Sequence, residues 1–153
     1  MIRLDPKNLQ IIKTQSENSY PLECCGIMLG YRVEAEKNVV EVMPTENIWG
    51  SESSDNFGGN DSQYGKSRRY AIAPKAMLQA ERKAREMKLE IIGIYHSHPD
   101  YPATPSEFDR EFAWQEYSYV IVSTLYGKAD CINSWCLDDN RQFLQETILA
   151  TEV

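Results

Sequence analysis

The run Glu90-Ile91-Ile92-Gly93-Ile94-Tyr95-His96-Ser97-His98-Pro99 sets the reading of the whole chain. Its first six residues are β-branched, aromatic and almost wholly apolar, as in a strand buried on both faces. Residues two apart on a strand share a face, so His96 and His98 project together from its end. Pro99 has no N–H to give to a sheet and stops the strand just after the second histidine. Further on, Ser106 with Asp109 three residues later reads as a helix N-cap of the capping-box kind. If the chain turns once and starts a helix there, Asp109 is also a third ligand beside the two imidazoles. Two histidines and one carboxylate leave a corner of a zinc tetrahedron open for water, as in catalytic rather than structural sites. Separately, an H-x-H pair and an S-x-x-D cap are ordinary polar features; joined as H-x-H-P-x6-S-x-x-D they point to a metal. Asp100 and Glu107 compete as carboxylates. The first lies too close to His98 along an extended chain, the second on the outer side of the helical turn, so both are expected in solvent.

Around this strand, elements alternate as in one α/β domain of mixed α+β type spanning 1–153. Asp5-Pro6 is an N-cap followed by proline at the first helical position, opening a helix to about Ser16 with Leu9 and Ile12 inward. Strands are expected at about 24–31 and 38–43. From Pro74 to Lys88, Met77, Ala80, Ala84 and Met87 form one apolar helical face, and Glu81–Arg85 and Arg82–Glu86 are supporting surface pairs. A helix from Pro105 to about Gln115 should follow the histidines, then strands near 117–124 and 130–137. Residues 141–149 fit either a strand or a short helix. Residues 45–68 break the pattern with a Ser, Gly, Asn and Asp-rich run, and so long a loop in a compact domain is usually functional or disordered. At its flanks, Trp49 and Tyr64 are the candidate substrate-binding residues; either can pack on a peptide or anchor the loop to the core.

The chain has 153 residues and a formal net charge of −7, which argues against nucleic acid as a partner, since phosphate contacts need clustered Lys and Arg. The one basic cluster, Lys66-Ser67-Arg68-Arg69, reads as a solvated loop end. No apolar leader opens the chain and no stretch is long enough to span a bilayer, so a cytoplasmic protein with no membrane partner is expected. Cys24, Cys25, Cys131 and Cys136 have no zinc-knuckle spacing, and reduced thiols packed in the core are expected.

With Glu23 ahead of H-x-H-P and S-x-x-D, the chain resembles the JAMM or MPN-plus zinc metalloproteases, most of all their stand-alone prokaryotic members. The likeness runs over roughly 1–137. Pro21-Leu22-Glu23-Cys24-Cys25-Gly26-Ile27-Met28-Leu29-Gly30 is similar to the family's first strand, Arg69–Pro74 to the lead into its long helix, and Tyr117–Ser123 to the strand after the motif helix. It implies a single MPN-like domain of cytidine-deaminase-like architecture, a central mixed β-sheet flanked by helices. It further implies one zinc ion per chain on His96, His98 and Asp109, with Glu23 as general base and acid and Ser106 as donor to the oxyanion. Spacing alone gives Glu23 no such role; unaided, it reads as a surface glutamate at a strand start.

The substrate class implied is an amide or isopeptide bond after the Gly-Gly-ended tail of a ubiquitin-like or sulfur-carrier protein, with the 45–68 insertion gripping the tail. Two alternatives stand beside it. Phage-tail relatives share H-S-H-P and P-S-E-x-D-R and act on cell-wall peptides, though usually fused to a second hydrolase. Other MPN domains have lost the metal and serve as interaction scaffolds, but they lack ligands that this chain retains. RadC-like proteins share the core motif without the E-C-C-G strand.

Overall fold

The computed structural model describes residues 1–50 and 65–150. Its frame is one eight-stranded mixed sheet. In chain order the elements are β1 (Ile2–Leu4), α1 (Pro6–Ser19), β2 (Cys25–Val33), β3 (Glu36–Thr45), α2 (Pro74–Glu86), β4 (Glu90–Pro99), α3 (Glu107–Glu111), β5 (Ser118–Leu125), β6 (Lys128–Leu137), β7 (Phe143–Glu146) and β8 (Ile148–Ala150). The strands lie in the order β7-β6-β5-β4-β2-β3-β1-β8. β4 is central, antiparallel to β2 and parallel to β5, and its apolar run is buried from Ile91 onward as the composition requires.

The two faces of the central strands feed two cores, with a register shift between β2 and β4 at Met28–Leu29. Met28, Ile92 and Tyr95 pack with Ile12 of α1 on one face. Ile27, Leu29 and Ile94 pack with Ala80 and Ala84 of α2 on the other. Asp5 caps α1 by accepting from the Asn8 amide at 2.7 Å, and Pro6 follows it, as expected. Gly26 is required for packing: a Cβ there would fall 2.1 Å from the Tyr95 ring. On α2, Ala80 and Ala84 are buried while Met87 is exposed, because the helix ends at Glu86. The helix surface is tied to β3 by Lys83, whose Nζ lies 2.6 Å from Glu41 Oε1.

Two expectations are corrected, and one open choice is decided. The helix expected over 105–115 is only Glu107–Glu111. At its end Arg141 Nη2 donates to the carbonyls of Arg110, Glu111 and Ala113, which satisfies groups that a helix terminus leaves open. The ambiguous segment 141–149 is two strands joined at Thr147, one at each end of the strand order. Of the cysteines, all free, Cys24 and Cys25 are buried, but Cys136 is half-buried and Cys131 exposed on β6, where only Ser134 and Leu137 are buried. β1 had no signal in the sequence. No described helix is long and apolar enough to cross a membrane.

Candidate active site

Strand period and strand register build the site. His96 and His98 stand on the α2 face of β4 and are 0% and 1% exposed. In the antiparallel register Cys25 pairs with His96. The pairing continues one step beyond the strand: the Ser97 amide donates to the Cys24 carbonyl at 3.1 Å, and the Cys24 amide donates to Ser97 Oγ at 2.8 Å. Glu23 is the next residue, and sheet pairing thereby closes its long sequence separation from the histidines. Donor atoms of Glu23, His96 and His98 lie within 4.8 Å of one another, a group that can hold a metal ion.

Asp109 makes a tighter triangle with the same histidines. His96 Nε2 and His98 Nε2 are 3.1 Å apart, and Asp109 Oδ2 is 3.3 Å from the first and 3.4 Å from the second. Bond lengths of about 2.0–2.1 Å to a tetrahedral zinc imply donor–donor edges of about 3.3–3.4 Å. The donor set therefore fits a small divalent ion with one corner open. Asp109 and Ser106 also form the capping box, so both readings of S-x-x-D hold together. The Ser106 amide donates to Asp109 Oδ2 at 2.9 Å, and the Asp109 amide donates to Ser106 Oγ at 3.0 Å. The cap presents Asp109 to the imidazoles in one orientation. Glu107 is exposed and paired with Arg110, and Asp100 is engaged by Tyr20 and Tyr126 rather than by the site.

The two carboxyls are driven in opposite directions. Burial raises Glu23 to about 8, with His96 and the Tyr101 hydroxyl only partly opposing it. Burial also acts on Asp109, but the neighbouring His96 and His98 hold it well below the usual carboxylate range. For the histidines, burial lowers His98, whereas at His96 the Asp109 charge outweighs burial and raises it. One carboxyl is thus suited to carry a proton and the other to remain an anion. His98 Nδ1 lies 2.7 Å from the Pro102 carbonyl. That bond requires Nδ1 to carry the hydrogen and turns the Nε2 lone pair toward Asp109, the arrangement usual in metal-binding histidines.

A model for prokaryotic homologs of the JAB domain matches residues 6–138. The chain belongs to this family. A probable TtuB-protein conjugate cleaving protease from Thermus thermophilus is 40% identical over 55 residues, which span 36% of this chain and 37% of that protein. Among solved structures, a protein from Desulfitobacterium hafniense matches with a TM-score of 0.79 and 24% identity, covering 100% of this chain and 94% of that one. A Salinibacter ruber protein gives 0.70 and 29%, covering 99% and 92%. A JAB1/MPN domain protein from Archaeoglobus fulgidus gives 0.56 and 14%, with 99% of both chains covered. The mixed sheet flanked by helices is thus shared with JAB1/MPN structures.

Within this JAB domain, three residues that sequence reasoning did not single out shape the site. Tyr70 stacks on His96 at 4.5 Å between ring centroids, and Tyr101 stacks on His98 at 4.1 Å. Asn47 is a hub: its Oδ1 accepts from the amides of Trp49 and Ala71, and its Nδ2 donates to the carbonyls of Glu23 and Arg69. The contacts that bring them to the site are mostly long-range: Tyr70 reaches His96, Tyr101 reaches Glu23, and Asn47 reaches Glu23, Arg69 and Ala71, while only Tyr101 on His98 and Asn47 with Trp49 are local. Of the loop flanks, Trp49 is an anchor, 7% exposed and set edge-on against Phe108 at 5.2 Å; Tyr64 lies outside the described residues. The basic cluster is not simply solvated: Arg68 lies over the Tyr101 ring and Arg69 over Phe108, and the Lys66 carbonyl accepts from the Glu23 amide at 2.7 Å. Beside Asp109 runs a groove of about 510 Å³ lined by Tyr70, Ile72, Met77, Leu78, Phe108 and Trp114.

Proposed function

We propose that this chain is a zinc-dependent peptidase or isopeptidase that cuts an amide bond after the flexible tail of a ubiquitin-like or sulfur-carrier protein. The observation that carries it is the triangle of His96 Nε2, His98 Nε2 and Asp109 Oδ2, with edges of 3.1, 3.3 and 3.4 Å and the Glu23 carboxyl beside it. A donor set of two imidazole nitrogens and one carboxylate oxygen suits zinc better than the harder ions, which favour all-oxygen shells. When bound, zinc supplies Lewis acidity, polarising a carbonyl and making water a nucleophile near neutral pH. Glu23 then takes up a proton and delivers it to the departing amine. Ser106 Oγ accepts from the Asp109 amide, which leaves its own hydrogen available for the oxyanion.

The substrate class draws on two further observations. The T. thermophilus relative is named a probable TtuB-protein conjugate cleaving protease. The groove beside Asp109 is lined mostly by apolar side chains and, at about 510 Å³, has room for an extended peptide segment. Protein purified without added metal or chelator should contain about one zinc per chain by elemental analysis. It should cleave a Gly-Gly-tailed carrier fusion, lose that activity on chelation and regain it with zinc. Protein that takes up no zinc on titration overturns the hydrolase reading in favour of a scaffold. Zinc uptake without cleavage of any carrier fusion moves the substrate to another peptide class.

A further inference from the structure

The residue that orients Glu23 comes from the turn just after the histidines. Tyr101 Oη donates to Glu23 Oε2 at 3.1 Å. Among the described residues it is the one hydrogen-bond donor to that carboxyl, and Oε1 has none. The Tyr101 ring cannot swing away, because it lies nearly flat on His98, 16° from parallel, and its backbone is fastened on both sides. Asp100, at a φ of 61°, donates its amide to the Thr124 carbonyl at 2.6 Å. Its carboxylate accepts from Tyr20 Oη at 2.5 Å and from the Tyr126 amide at 2.8 Å. Ser123 Oγ donates to the Tyr101 carbonyl at 2.7 Å, and the next carbonyl, of Pro102, takes the His98 Nδ1 bond.

We propose that Tyr101 is a positioning residue: by holding Oε2 of Glu23 it makes Oε1 the oxygen that exchanges the proton in catalysis. This rests on the hydrolytic reading above. A carboxyl with no donor turns about its last torsion in a broad, roughly two-fold well, and either oxygen can then face the reacting atoms. A bond to one oxygen removes that ambiguity and fixes the direction of proton transfer, where small misplacements are costly. In the first step Oε1 gains the proton that the attacking water loses, and Glu23 becomes neutral. In the second, that proton passes from Oε1 to the amine nitrogen as the C–N bond breaks, which regenerates the carboxylate. Tyr101 keeps its own proton throughout.

The test separates the hydroxyl from the ring. Tyr101→Phe removes Oη and keeps the stack on His98, whereas Tyr101→Leu removes both. With the carrier-fusion substrate, Tyr101→Phe should lower kcat about ten- to hundredfold, with KM, zinc content and Tm near wild type. Tyr101→Leu should in addition weaken zinc binding. A second readout needs no substrate: the infrared carboxyl band of Glu23, isolated as the difference between each protein and its Glu23→Gln counterpart, should move on going to Tyr101→Phe. An unmoved band overturns the proposal whatever the activity, and a moved band with kcat within twofold of wild type also overturns it. A wild type that cleaves no carrier fusion counts against the substrate reading alone; the band then decides whether Tyr101 holds Glu23.

Discussion

Residues 95–98 of β4 alternate between two faces of one strand, both buried and both polar at their tips, yet they differ in what they hold. On the α2 face, His96 and His98 meet Asp109 and present nitrogen and oxygen atoms to a shared point. On the α1 face, Tyr95 and Ser97 face other protein groups. Tyr95 Oη donates to Gln15 Oε1 at 2.5 Å, Gln15 Nε2 donates to the Cys25 carbonyl at 3.0 Å, and Ser97 ties down Cys24. One face holds atoms that face a shared point, and the other fastens the segment that leads from Glu23 into β2. The contrast shows how a strand period of two lets four consecutive residues supply both chemistry and its support.

Breaking the chemical face should change turnover and metal far more than stability. Glu23→Gln is expected to lower kcat by about 10²–10⁴-fold while elemental analysis still finds zinc. Loss of zinc from that variant would make Glu23 rather than Asp109 the third ligand. Asp109→Ala should lose most of its zinc, and with it activity. If Asp109 served only as a capping residue, metal content would stay intact and chemical denaturation would register a cost of about 1 kcal/mol.

Breaking the supporting side should do the reverse, by smaller steps. Asn47→Ala removes four hydrogen bonds at once, and urea unfolding should show a loss of about 2–3 kcal/mol, accompanied by a fall in kcat because the Glu23 carbonyl is released. Ser97→Ala leaves the Cys24 amide buried without its acceptor, an expected loss of about 1–3 kcal/mol with zinc retained. A variant as stable as wild type would show that this bond does not hold the two strands together. The smallest effect belongs to Tyr95→Phe, at about 1 kcal/mol with kcat and zinc unchanged; a kcat that fell with it would erase the distinction between the faces.

What could be read from the sequence follows from how local each feature is. The histidine strand and the Ser106–Asp109 cap depend on spacings of two and three residues, and both were legible directly. The long helix before the histidines, Pro74–Glu86, was legible from its apolar period. Glu23 was not, because only the pairing of β2 with β4 brings it to the histidines; the family likeness supplied what spacing could not. The approach of Tyr70 to His96, and of Tyr101 and Asn47 to Glu23, was hidden for the same reason. The helix expected over 105–115 was too long for a related reason, since the residue that meets the carbonyls at its real end, Arg141, lies about 30 residues further along. Strands of three and four residues, such as β1, β7 and β8, are too short to display a period at all.

Thr147 joins β7 to β8, and these two short strands are the outermost members of the sheet on opposite sides. For consecutive residues to reach both rims, the sheet must curl until its rims approach each other. Lys37 of β3 accordingly donates to Ser118 of β5 at 2.8 Å, and Glu146 lies 3.5 Å from the N-terminal amine. Residues 143–150 therefore complete the sheet at both rims with one short segment. A chain cut before Phe143 would lose both rim strands at once and leave β6 and β1 as the new edges of the sheet.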